Sequence, residues 1–187
     1  MKEGEGEAME TMRTNRPQQP EFAAVWKYCI HGLGVDIGCG TNRLSPDILA
    51  IDVFDHGVGP NNPDLIANAS LMDWRERKMG AGFRDCVFDF IFSSHCLEDF
   101  RDIEGVLKEW WRKVKVGGHL VLLLPDMEGG RYPKVGEEGG NPSHRVNVGP
   151  IMFRAMFGRC IGSAGEIVQC DTIREGCTFD FVAQRKR

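Results

Sequence analysis

The stretch "VDIGCGTNRLSPDILAID", residues 35–52, sets Asp36 ahead of Gly38 and Gly40 and ends on Asp52. Two closely spaced glycines after a short apolar run let the backbone approach a ligand closely, which suits a nucleotide. A dinucleotide fingerprint asks for a third glycine, where Arg43 stands, and for an acidic residue about 20 positions on, whereas Asp52 lies nearer. A carboxylate beside the glycine turn disfavours a pyrophosphate. It suits a ligand that carries an ammonium and a sulfonium, as S-adenosylmethionine (SAM) does. Asp52, at the end of a second apolar run, has two oxygens with which to accept from both hydroxyls of a ribose. Two plainer roles compete: Asp36 satisfying nearby backbone amides, and Asp52 with Asp55 and His56 forming a solvated turn. Cys39, inside the turn, reads as a small buried residue rather than a nucleophile.

Elements must hold these residues in place. Short apolar runs at 33–37, 48–52, 64–68, 87–93 and 119–125 alternate with amphipathic or turn-rich segments, the pattern of an α/β fold with a largely parallel sheet. "EFAAVWKYCIHG" places Phe22, Val25, Trp26, Cys29 and Ile30 at helical spacing, with Gly32 as a stop. "DIEGVLKEWWRKVKVGG" puts Ile103, Val106, Leu107, Trp110, Trp111 and Val114 on one face of a helix closed by Gly117 and Gly118. The Gly- and Pro-rich stretch from Pro125 to Pro150 exceeds an ordinary connection, which marks it as a functional or disordered loop. "PIMFRAMFGR" reads as a short helix begun by Pro150. "EIVQCDTIREGCTFDFVAQR" reads as an antiparallel hairpin around "REG". Residues 1–20, where Glu alternates with Gly before a Pro/Gln stretch, read as a disordered tail, leaving 21–187 as one domain.

Composition narrows the functional classes. A net charge of −4 and a pI near 5.8 give no broad attraction to nucleic-acid phosphates, and the closing "RKR" does not alter that. Seven cysteines without a CxxC pair read as reduced thiols of a cytoplasmic protein, and the five histidines show no metal-ligand spacing. The sequence has no apolar run of about 18 residues and no signal-peptide pattern, so no membrane insertion or secretion is expected.

"FDFIFSSHCLEDFRDIEGVLKEWWRKVKVGGHLVLLLPD", residues 88–126, together with "VDIGCG" and Asp52, resembles the class I SAM-dependent methyltransferases. The likeness runs from about residue 33 to 126. It implies a three-layer α/β/α Rossmann-like fold with a mostly parallel seven-stranded sheet ending in an antiparallel hairpin. It also implies a residue-by-residue assignment: Asp36, Gly38, Cys39 and Gly40 border the methionine part of SAM, and Asp52, with Val53 beside it, holds the ribose. Asn68 and Ala69, in "ANASLM", match the family segment next to the adenine, with Asn68 where an aspartate is common. Ser93, Ser94 and His95 match the segment that flanks the cofactor and faces the acceptor. Two departures stand out. "TNRLSPD" is too short for a full helix, so the first crossover is abbreviated, and Asp99 replaces a histidine that often ends the family's HxLEH motif.

What the resemblance implies is methyl transfer to an unidentified small-molecule acceptor. SAM is an activated donor, so the protein's task is in-line approach with water excluded, and a general base is needed only for a weak or protonated acceptor. His95 is the candidate for that base or for orienting the acceptor; the plainer alternative is an imidazole that fixes the loop by hydrogen bonds. Glu98 either orients His95 or favours the positive end of the following helix, and the helix-end role is preferred. Arg131, Tyr132, His144 and Arg145 in the long loop suit an acidic or aromatic acceptor, with plain solvation as the alternative, and the loop's glycines would permit closure. Phe153, Met156 and Phe157 read as core or lid packing. A non-catalytic SAM-binding scaffold is the second expectation. A nicotinamide-dependent oxidoreductase is disfavoured by Arg43, and "SSHC" in place of an Asn-Pro-Pro-Tyr type motif argues against methylation of DNA bases.

Overall fold

The computed structural model describes residues 22, 25–41, 43–55, 62–70, 83–171 and 177–187. The expected tail at 1–20 and the "REG" turn lie outside them. One sheet of seven strands runs in the order β3-β2-β1-β4-β5-β7-β6. Its strands are β1 (Gly34–Ile37), β2 (Leu49–Asp52), β3 (Leu65–Ile66), β4 (Phe88–Ser94), β5 (Val114–Pro125), β6 (Gly165–Gln169) and β7 (Thr178–Arg185). The first five pair in parallel, and β7 returns antiparallel to both β5 and β6. This is the expected Rossmann-like methyltransferase arrangement. From β1 the chain works outward to β2 and β3, and from β4 it works the other way. β1 and β4 therefore flank the switch point, outside whose carboxyl ends ligands of open α/β sheets bind.

Period-two alternation of the strands divides the core into two layers. Ile91, Leu120, Leu122, Leu124, Phe179 and Phe181 face helices α1 (Ile103–Lys113) and α2 (Pro150–Ile161), meeting Trp110, Trp111, Phe153 and Phe157. Phe90, Phe92, Val121, Leu123 and Val182 point to the opposite face, which Phe22, Val25, Cys29, Leu44 and Ile48 cover. The expected first helix is shorter than its spacing suggests: after helical backbone at Phe22 and Val25 it tightens into a 3₁₀ turn at Trp26–Tyr28.

The helix ends explain a second difference. Asp102 caps α1 by accepting from the Gly105 amide at 2.9 Å, and the helix stops at Lys113 rather than at Gly117 and Gly118. Val114 already pairs with Phe88 in the sheet, and pairing resumes at Phe90 opposite His119, so Lys115–Gly118 bulge out across from Asp89. Gly117 supplies the left-handed φ of +83° that this bulge needs. Arg185, in the last strand, donates to the carbonyls of Trp111, Arg112 and Val114, adding to the amides of Val114 and Cys86 that Trp111 O and Arg112 O already accept. At α2 the carboxylate of Glu128 accepts from the amides of Ile151 and Met152 at 2.9 Å each. Among the described residues no helix is long and apolar enough to cross a membrane. All seven cysteines are free thiols.

Candidate active site at the carboxyl ends of β1, β2 and β4

The glycine turn leaves β1 with φ of +71° at Gly38 and +55° at Gly40, a region that L side chains rarely adopt. Ile51 O in β2 accepts from the amides of Gly38 (2.8 Å) and Cys39 (3.3 Å), which moors the turn to the neighbouring strand. Gly38 is obligatory for packing: a Cβ there would sit 2.5 Å from Cys96 Sγ. At Gly40 a Cβ would meet nothing within 4 Å, so this backbone borders open space. Cys39 is buried, as expected of a small residue in the turn.

Asp36 is buried in β1 and accepts from the Leu44 amide at 2.6 Å. The amide-satisfying role expected as its alternative is thus present, and it fastens the crossover to the strand. Asp52 Oδ2 accepts from the Gly40 amide at 2.8 Å and Oδ1 from the Phe54 amide at 3.1 Å. This carboxylate therefore lies beside the glycine turn, and each oxygen retains further acceptor capacity for a hydroxyl. Val53, next in the chain, is about half exposed.

The crossover from β1 to β2 contains no helix among its described residues. Arg43 holds it instead. Buried, it donates to the carbonyls of Ser45, Pro46, Ile48 and Asn62, and pairs with Asp64 at 2.8 Å. The sequence noted Arg43 only as a missing glycine; its structural use could have been suspected from the lack of any other cation in "TNRLSPD".

Beyond β3, Asn68 Oδ1 accepts from the Ser70 amide at 2.9 Å in a local turn, and Ala69 O accepts from the indole of Trp110 at 2.9 Å. Helix α1 thereby fixes the segment expected near the adenine. Ser93 is buried, with its hydroxyl donating to Ile37 O at 2.9 Å, so it latches β4 to β1. Ser94 ends β4, half-buried.

His95 follows in a left-handed conformation, φ +51°, with its amide bonded to Leu123 O at 2.9 Å. Such backbone in a non-glycine residue costs on the order of 1 kcal/mol or more and concentrates at functional sites. Its Nε2 lies 3.1 Å from Thr178 Oγ1 and its Nδ1 3.7 Å from Glu98 Oε1. The imidazole is about one-third exposed.

Glu98 is a correction. It does not favour the end of α1, a task Asp102 performs; it lies fully buried in a 3₁₀ turn, Leu97–Asp99. There its Oε1 faces His95 and, at 3.3 Å, Nε2 of buried His144. The contact with His144 is an ion pair by distance without the alignment of a directed hydrogen bond. Glu98 beside His144 holds that imidazole above its ordinary pKa, against the opposing effect of burial.

The 126–149 segment is clamped at its far end to this turn. Arg145 and Val146 amides donate to Glu98 O at 2.9 and 3.2 Å, and the Ser143 hydroxyl donates to Asp99 Oδ1 at 2.8 Å. The Tyr132 ring lies 5.3 Å from that of His144. Arg131 and Arg145 are exposed, while Phe153, Met156 and Phe157 are core, as expected. Sequence reasoning placed His144 and Glu98 in separate groups; only the fold brings them together.

Carboxylates dominate this end of the sheet. Burial, then Glu98, Asp99 and Asp52, push the Cys96 thiol far up, and burial raises the carboxyl of Asp99. A site of this sign suits a cationic ligand. Residues 35–122 match the family model described as "Methyltransferase domain". Over that span, a little under half of its length, the chain is similar to methyltransferase domains. The open space at Gly40, the neighbouring Asp52 and the negative surroundings fit a cation such as SAM.

Solved structures agree in fold. A SAM-dependent methyltransferase of Thermotoga maritima, described as a possible histamine N-methyltransferase, is 19% identical with a TM-score of 0.68, over 98% of this chain and 94% of that one. A SAM-dependent methyltransferase of Mesorhizobium loti is 14% identical with a TM-score of 0.60, over 90% of this chain and 99% of that one. Another, of Aquifex aeolicus, is 12% identical with a TM-score of 0.57, over 94% and 97%. A comparison with curated proteins finds no match.

Proposed function

We propose that the chain is a SAM-dependent methyltransferase acting on a small molecule that presents an N–H or O–H group to His95. The observation that carries this is the position of His95: a partly exposed imidazole in left-handed backbone at the end of β4, beside the switch point. SAM supplies an activated methyl group when bound. Asp36, Gly38, Cys39 and Gly40 would border its methionine end, Asp52 and Val53 its ribose, and Asn68 and Ala69 its adenine. Ser93 would act through the β1–β4 latch, with Ser94 and His95 toward the methyl group. His95 would accept the acceptor's proton, and Tyr132 and Arg145 would shape the acceptor's surroundings. We assign residues 21–187 to one domain, preceded by a tail at 1–20. Exposed Cys86 and Cys177, as free thiols, support a reducing, cytoplasmic setting.

Calorimetric titration with SAM, S-adenosylhomocysteine and NAD, followed by assay of S-adenosylhomocysteine release with acceptor mixtures, tests this. The description of the Thermotoga relative puts imidazole-containing and other small amines first in the screen. Adenosyl-selective binding and turnover lost in His95→Gln are expected. Binding without transfer to any acceptor would favour a SAM-binding scaffold.

A further inference from the structure

Glu98 is a costly side chain to bury in this turn. It is fully buried, and neither carboxylate oxygen makes a directed hydrogen bond among the described residues. Burying a carboxylate is costly unless a partner compensates it. The two groups against its Oε1 are both imidazoles, His144 Nε2 at 3.3 Å and His95 Nδ1 at 3.7 Å.

We propose that Glu98 is a positioning residue that holds His95 as the Nδ1–H tautomer, leaving Nε2 as the atom that takes the acceptor's proton. This rests on the function proposed above. At 3.7 Å the pair is beyond hydrogen-bond length, so Glu98 acts through its field, which favours hydrogen on the ring nitrogen nearer to it. The other ring atom faces Thr178 Oγ1 at 3.1 Å, and a hydroxyl can donate or accept, so it does not select a tautomer. With Nδ1 protonated, the Nε2 lone pair accepts from Thr178, buried at the start of β7, until a substrate N–H or O–H takes the hydroxyl's place.

The remaining charged and titratable groups act on Glu98 in opposite senses. From the 141–146 segment, His144 faces it directly and Arg145 approaches Asp99. On its own turn stand Asp99, bonded to Ser143, and the Cys96 thiol, kept neutral by burial and the nearby carboxylates. Asp52 adds its charge from β2. His144, the nearest group to Oε1, opposes the repulsion from Asp99 and Asp52, and Glu98 in turn offsets the charge His95 acquires.

The proton balance closes on these atoms. The acceptor's lone pair forms a bond to the methyl carbon while the carbon–sulfur pair returns to sulfur, and the acceptor's proton passes to His95 Nε2. The positive charge lost by the sulfonium is the charge gained by the imidazole.

Two-bond proton–nitrogen correlation spectra of histidine-labelled full-length protein, in mildly alkaline buffer, read the tautomer directly, with His95→Gln to assign the signals. The wild type is expected to show Nδ1 protonated and Nε2 bare, and Glu98→Gln to shift the ratio toward Nε2–H by at least about fivefold. His144→Gln, which keeps the carboxylate, is expected to retain Nδ1–H. An Nε2–H ring in the wild type overturns the proposal even if Glu98→Gln does not fold, as does an unchanged ratio in a folded Glu98→Gln. Activity that survives in His95→Gln would sink the base assignment instead, without altering the tautomer result.

Discussion

The carboxylate of Asp52 accepts the amide hydrogen of Gly40 at 2.8 Å, so the end of β2 and the glycine turn after β1 form one unit. The same carboxylate is the proposed ribose ligand. Asp52→Ala should weaken SAM and S-adenosylhomocysteine alike, by roughly 1–3 kcal/mol, because hydrogen bonds to a charged acceptor are lost in both complexes. Calorimetry checks this; unchanged affinity for both ligands would remove the ribose assignment.

Gly38 and Gly40 separate folding from binding. Both need left-handed backbone, so an alanine at either costs on the order of 1 kcal/mol in strain. At Gly38 the added Cβ also meets Cys96 Sγ at 2.5 Å, whereas at Gly40 it meets no atom within 4 Å. Gly40→Ala should therefore remain folded and lose at least about tenfold in SAM affinity, equivalent to about 1.4 kcal/mol. Gly38→Ala should lose stability as well. Thermal melts paired with titrations distinguish the two; a Gly40→Ala protein that binds SAM normally would mean that the open space is not the ligand's.

Arg43 replaces a helix. Its guanidinium satisfies four carbonyls and Asp64 within a crossover that has no ladder of its own. Arg43→Met should destabilise the fold by roughly 2–4 kcal/mol, since it leaves buried acceptors unpaired, and Arg43→Lys should recover only part of this because an ammonium cannot reproduce the fork. Urea unfolding midpoints at constant slope are the measurement. A loss below about 0.5 kcal/mol would show that the crossover is held by other contacts.

What the sequence disclosed followed from local pattern. Ile103, Val106, Leu107, Trp110 and Trp111 share a helical face and are buried together, and the apolar runs became the five parallel strands. The antiparallel ending of the sheet is the one that the family likeness implied. The end of α1 was misplaced because sheet pairing of Val114 with Phe88 overrides the helical pattern, a long-range effect without a local signal. Asp52 at the end of β2 was legible, since the apolar run before it marks the strand. The Glu98–His144 contact joins residues 46 positions apart through a loop with no periodicity, and nothing in either neighbourhood announces it. The bond from the Ser93 hydroxyl to Ile37 O was likewise not legible, because it joins strands 56 residues apart.

That contact gives stability a pH signature. Glu98 holds His144 above its ordinary value of 6.5, so the folded state binds the proton more tightly than the unfolded chain. The stabilisation is complete below the unfolded value and is lost as pH rises through the folded one, so the window opens near 6.5 and extends upward. Asp99, raised by burial, loses stability in the same direction, but its window opens from the ordinary carboxyl value of 3.8. His144→Gln isolates the first effect. Between pH 6.5 and the weakly alkaline range, wild-type unfolding free energy should fall relative to that of the variant, while both decline together at lower pH. Denaturant titrations across this range provide the comparison, and parallel curves throughout would show that His144 carries no charge over Glu98.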